Sequence, residues 1–352
     1  MSSEHHEPPA KNELAFPGGP YISVSARALA VLLAGLGLVL GAVLVVARQA
    51  GLTFAESNAL VVSLATLALI LLPLPVLLSE HRVDRLWRWV DGRPSRALGL
   101  AALPLAPFFL YWAVPGNATP IGVARLMLYV LVPTALAVLL PLGRGRAVGD
   151  ALVVATIWLP VELREFRASF PWPPGGSGYL LVAPLAMDLL LYLMLVVRRF
   201  DGSGLRMKLR SPDLAAAVGA FASFAAVGIP LGLRTGFLSF GIRAEGPVPV
   251  LAGAAVTFLF TALPEEILFR GLVQGILENW FRRPRLALGV ASLIFGAAHL
   301  NNGPNAPDWR YFALATLAGI AYGWVYQRTR RISASALTHA LVDVTWSIFL
   351  KG

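Results

Sequence analysis

Glu265 and Glu266 stand side by side, with Arg270 four residues on, inside an apolar run from Pro249 to Leu277. Ionisable side chains in such a run are expensive at membrane depth and mark a functional site by default. On a helix Glu266 and Arg270 share a face and pair, whereas Glu265 points about 100° away and lacks that partner. One glutamate is therefore expected to be structural, held ionised by arginine. The other is available for proton transfer, since poor hydration brings a carboxyl towards the useful range.

Three further polar groups lie downstream. His299 closes the run that contains Phe295, ahead of the loop Asn301-Asn302-Gly303-Pro304-Asn305, and His339 and Asp343 are four apart in the last run. Taking 1.5 Å per residue from the nearest basic loop, Glu265, His299, His339 and Asp343 fall about 24, 21, 12 and 18 Å along their helices. With different tilts, these depths let all four meet in one cavity. A carboxylate and an imidazole can hold and deprotonate a water while a second polar pair faces a carbonyl oxygen, which is the chemistry of amide hydrolysis. A chain without cysteine has no thiol nucleophile, and it contains neither a serine elbow nor His-Glu-x-x-His. Glu265, His299, His339 and Asp343 are also acceptable zinc ligand types, so the water could be activated with or without that metal.

Glu265-Glu266-x-x-x-Arg270, Phe295-x-x-x-His299 and His339-x-x-x-Asp343, in that order on successive apolar runs, resemble the three motifs of the CPBP intramembrane proteases. That family includes the CAAX prenyl endopeptidases and Abi-type immunity proteins. The resemblance covers residues 213–352 and implies that Glu265 with His299 activates the attacking water. It further implies that Arg270 holds Glu266, and that His339 with the residue at 343 stabilises the oxyanion. Several members have Asn where this chain has Asp343. An ionised Asp343 donates no hydrogen bond, so it must be protonated or instead orient His339.

The elements that must position these residues follow from composition. Of 352 residues, 57% are hydrophobic and 14% charged, and the mean hydropathy is +0.69. Apolar runs of spanning length indicate an all-α, polytopic transmembrane bundle of about eleven spans. They are expected near 28–47, 58–78, 97–114, 122–142, 149–161, 178–197, 213–233, 249–280, 286–300, 311–327 and 332–350. The fifth, short and containing Pro160, could be re-entrant. The net charge of +10 is not a nucleic-acid signature, because the arginines lie in short loops between spans. With the N-terminus inside, 20 of the 29 lysines and arginines fall on the cytosolic side and 8 opposite, leaving Arg270 in the motif. The C-terminus is then outside.

Residues 1–26 are expected to be a disordered cytosolic tail without a cleavable signal peptide. The basic, glycine-containing stretch 198–206 separates an anterior region, 27–210, from a posterior domain, 211–352, that holds every motif. Asp188 is expected to pair with an anterior arginine such as Arg125, the alternative being an ion or proton path. Glu162 and Glu165, alternating with Arg164 and Arg167 beside Trp172, suggest an interfacial loop. Arg82, Arg85 and Arg88 with Trp87 and Trp89 suggest an amphipathic helix on the lipid face. Asn117-Ala118-Thr119 fits the glycosylation pattern.

The reading is an integral, multi-pass endopeptidase of a prokaryotic plasma membrane, acting on a membrane-embedded or lipid-anchored polypeptide. The competing readings are an ion-coupled carrier using the buried carboxylates, and a catalytically silent immunity or assembly protein of the same fold.

Overall fold

The computed structural model describes residues 41, 44–45, 47–143, 145–166, 169–170, 179–200, 205–241, 246–302 and 306–351. The expected tail, most of the first span, Trp172 and part of the 198–206 boundary lie outside them.

The anterior helices are α1 (Phe54–Leu71, prolonged by Leu74–Leu77), α2 (Glu80–Val90), α3 (Pro94–Ala102), α4 (Ala106–Trp112), α5 (Pro120–Leu139), α6 (Arg146–Glu162) and α7 (Tyr179–Leu191, running on through Tyr192–Val197). The posterior helices are α8 (Ser211–Arg234), α9 (Pro247–Phe281), α10 (Pro284–Ala298), α11 (Trp309–Thr329) and α12 (Ile332–Phe349). A two-residue antiparallel pair, β1 (Ser239–Phe240) with β2 (Leu350–Lys351), ties the end of α12 to the segment after α8. Among the described residues six helices are long and apolar enough to cross a membrane, and α10 is a shorter apolar helix. This is an all-α membrane fold. Its outer faces carry large apolar side chains, with Val248 and Leu251 74% and 70% exposed, as suits a surface solvated by acyl chains.

Several local features differ from the sequence expectation for identifiable reasons. The run 97–114 breaks into α3, a 3₁₀ turn at Leu103–Leu105 and α4, because Pro104 and Pro107 each remove a helical N–H donor. By contrast, α6 continues through Pro160 as an unbroken helix. The Trp87 side of α2 meets the rest of the protein, while Trp89 on the same helix stays exposed. The Arg199 guanidinium lies 3.6 Å from the Trp87 ring centroid and pairs with Asp84 at 3.7 Å, docking α2 on the end of α7. The Asn117 side chain is buried and donates to the Tyr111 carbonyl at 3.0 Å, so it cannot be a glycan acceptor in this fold.

In the posterior region α11 is central, packing against α8, α10 and α12, and α9 closes against α10 and α12. Small residues permit this approach. A Cβ on Gly319 would come within 3.2 Å of the Ser292 Cα on α10. The anterior helices reach the posterior ones where α6 meets α9.

Candidate active site

The site is built on α9, whose 35 residues amount to about 50 Å of helix. Its regular winding is twice interrupted by wider i→i+5 turns, at Phe258–Ala262 and Ile267–Gln274, on either side of the glutamates. Such turns are frequent at functional sites. The first precedes Pro264, which has no N–H to give to the turn before it.

Glu266 is fully buried and takes three partners. Arg270 Nε lies 3.2 Å from its Oε2, Ser335 donates to Oε2 at 2.5 Å, and His339 Nδ1 is 3.0 Å from Oε1. The arginine is equally enclosed, with its guanidinium 4.7 Å from the Phe295 ring centroid and donating to the Gly319 carbonyl at 3.4 Å. This is the expected ion pair, and it also fixes the register of α9 against α11 and α12. Ser335 escaped the sequence reading, although it sits one turn before His339 on the same helix face.

His339 is held on every side. Its ring stacks on Tyr322 at 4.6 Å, Phe295 meets it edge-on at 5.7 Å, and its Nε2 faces Asp343 at 3.4 Å and Glu265 at 3.8 Å. Glu265, for which the sequence offered no basic neighbour, therefore has this imidazole beside it. The side chains of Glu265 and Asp343 remain about 30% exposed, in contrast to Glu266.

His299 caps α10, and its Nδ1 lies 2.8 Å from the Phe295 carbonyl. A carbonyl only accepts, so Nδ1 carries the proton, and in the neutral ring Nε2 is left as an acceptor. Phe295 and Tyr311 pack on the ring at 4.6 and 5.0 Å. Phe295 thus supports both histidines and the arginine.

The four expected residues do not share a single cavity. A larger one, of about 470 Å³, takes Glu265 and His299, while a smaller one of about 60 Å³ takes His299, His339 and Asp343. His299 borders both because it sits where α10 ends between them. The far wall of the larger cavity comes from the anterior region, including Trp158, Glu162 and Arg164 of α6 and its end, and Met187 and Leu190 of α7. Trp158 packs edge-on against Phe269 at 5.3 Å. Arg164 donates to the Asn301 carbonyl at 3.0 Å and to Asn302 Oδ1 at 3.2 Å, so the Glu162–Arg164 stretch belongs to the site. No periodicity in the sequence could have paired it with Asn302, 138 positions away. Asp308 caps α11 beside this loop, and hydrogen bonds from Arg310 hold its carboxyl below the usual range.

Asp188 is not paired with Arg125. Arg125 lies near the start of α5 and donates to the Glu165 carbonyl at 3.0 Å, whereas Asp188 is buried midway along α7. Both Asp188 carboxylate oxygens lack a hydrogen-bond partner among the described residues.

The zinc alternative needs Glu265, His299, His339 and Asp343 to converge on one ion. Among the described residues no three His, Asp or Glu side chains are placed to hold a metal. The nitrogens of His339 are turned to carboxylates and His299 Nδ1 to a backbone carbonyl.

Residues 247–345, from the start of α9 to most of α12, match the family model described as Type II CAAX prenyl endopeptidase Rce1-like. In this segment the chain is similar to the CAAX-protease family. The match spans all three motifs and under a third of the chain. No curated protein and no solved structure matches the chain. The wall that α6 and α7 add to the cavity lies outside the matched segment.

Proposed function

We propose that this protein is an intramembrane endopeptidase of about eleven spans, with its N-terminus inside a prokaryotic plasma membrane, which cuts a membrane-embedded or lipid-anchored polypeptide. The observation that carries the reading is that Glu265 and His299 line one cavity of about 470 Å³. That volume lies in the range of ligand-binding clefts.

Water is held between the Glu265 carboxylate and His299 Nε2. As its oxygen bonds to the scissile carbonyl carbon, Glu265 takes the proton and the carbonyl electrons move to oxygen. When the carbon–nitrogen bond breaks, the same carboxyl returns the proton to the leaving amine. His339 keeps Nδ1 on Glu266, and its Nε2–H, 3.4 Å from Asp343 and 3.8 Å from Glu265, is shared between Asp343 and the developing oxyanion when substrate is bound. Asp343 orients His339, and the Glu266–Arg270 pair is structural. No step here is routed through a metal.

The test is cleavage of membrane-tethered peptides by detergent-purified protein, with the cut ends read by mass spectrometry. Glu265→Gln and His299→Ala should each lose about 10²- to 10⁴-fold in rate, and a strong zinc chelator should leave the wild type unchanged. Undiminished cleavage by either folded, inserted variant would sink the assignment.

A further inference from the structure

The two ends of the bundle can be told apart by their contacts. At one end Arg331 donates to the Lys208 carbonyl and pairs with Asp213, Arg330 pairs with Glu278, Ser333 donates to the Arg206 carbonyl, and Arg146 donates to those of Arg198 and Arg199. The ends of α7, α9 and α11 and the starts of α6, α8, α10 and α12 therefore share this end, and most of the chain's arginines gather there. At the other end Arg164 reaches Asn301 and Asn302, Arg125 reaches Glu165, Arg310 reaches Gly236, and β1 pairs with β2. Basic residues are sparse in those loops.

The larger cavity is closed towards the basic end. From Glu266 to Leu277 every residue of α9 except Val273 is buried, and Gln274 and Gln327 both donate to Glu278 below them. Towards the basic-poor end the cavity has a polar rim, on which Arg164 and Asn302 are exposed. Short loops rich in Lys and Arg stay in the cytosol, so the rim faces the opposite compartment.

We infer that the cavity is loaded from the non-cytosolic face, and that its substrate is the juxtamembrane segment of a membrane-anchored polypeptide displayed on that face. Apolar residues of the segment lodge against Trp158, Val161, Met187, Leu190, Leu268 and Phe269. The substrate half of the inference rests on the endopeptidase reading, whereas the orientation does not.

The absence of native cysteine makes any introduced thiol unique. Ala306→Cys, in the exposed loop at the rim end, and Arg283→Cys, exposed between α9 and α10 at the basic end, are expressed in full-length protein in a bacterial host. A membrane-impermeant maleimide should label Ala306→Cys in intact spheroplasts and Arg283→Cys only in inverted vesicles. The reverse pattern overturns the inference. A lipid-anchored peptide added outside intact spheroplasts should be cut by the wild type and not by Glu265→Gln, and cutting confined to inverted vesicles overturns the inference equally. Labelling does not depend on turnover, so an enzyme silent on both faces would count against the endopeptidase reading and leave the orientation standing.

Discussion

At the residue scale, Glu265 and Glu266 are chemically identical neighbours given different work by what surrounds them. Glu266 has Arg270, Ser335 and His339 on its oxygens, whereas Glu265 has His339 3.8 Å away and borders a cavity that His299 also lines. Asp343 presents the sharper question, because its Oδ2 lies 3.4 Å from His339 Nε2 and an ionised carboxylate can only accept there. If its part is to orient the imidazole, the amide of Asp343→Asn can still accept through its oxygen and should keep activity within about tenfold of wild type. Asp343→Leu should lose about 10²-fold, the scale of one misplaced oxyanion donor. Comparison of kcat for the two variants on one tethered peptide checks this, and equal losses would show that the part of Asp343 is not to orient His339 through an accepted hydrogen bond.

At the element scale, α9, α10 and α11 are fixed against one another by a buried ion pair and by absent side chains. Glu266 and Arg270 are both shut away from solvent, so Arg270→Ala leaves an unpaired carboxylate and should lower stability by about 3–5 kcal/mol. Thermal unfolding in detergent would show it, and an unchanged midpoint would mean that the pair contributes little. At the α10–α11 contact, a Cβ on Gly319 already crowds the Ser292 backbone. Gly319→Leu should therefore cost about 1–3 kcal/mol through overpacking, while Gly99, with open space where its Cβ would go, should accept Ala with little change. The glutamates were legible because their spacing to Arg270 is local. The wide turns around them were not, because a π turn depends on how neighbouring helices engage that stretch.

At the scale of the whole molecule, the anterior helices form a wall of the cavity and are locked by a buried cluster of their own. Arg198, fully buried, pairs with Asp150 and donates to the carbonyls of Ala137, Leu140 and Pro141, joining α5, α6 and α7 at the basic end. Asp150→Ala should cost about 3–5 kcal/mol by leaving that arginine uncompensated. The detergent melting temperature should fall while the cleavage specificity of the surviving folded enzyme is retained, and an altered cut site would show that the cluster also shapes the cavity. The sequence by itself determined the membrane-helical class, the uneven charge of the loops, the three motifs and the Glu266–Arg270 pair. Each of these depends on composition or on spacing within one helix. Only the tertiary structure decided that His339 bridges Glu266 and faces Glu265, that His299 stands between two cavities, and that Arg164 meets Asn302. Those contacts join residues dozens of positions apart, and it is helix packing, not local periodicity, that brings them together.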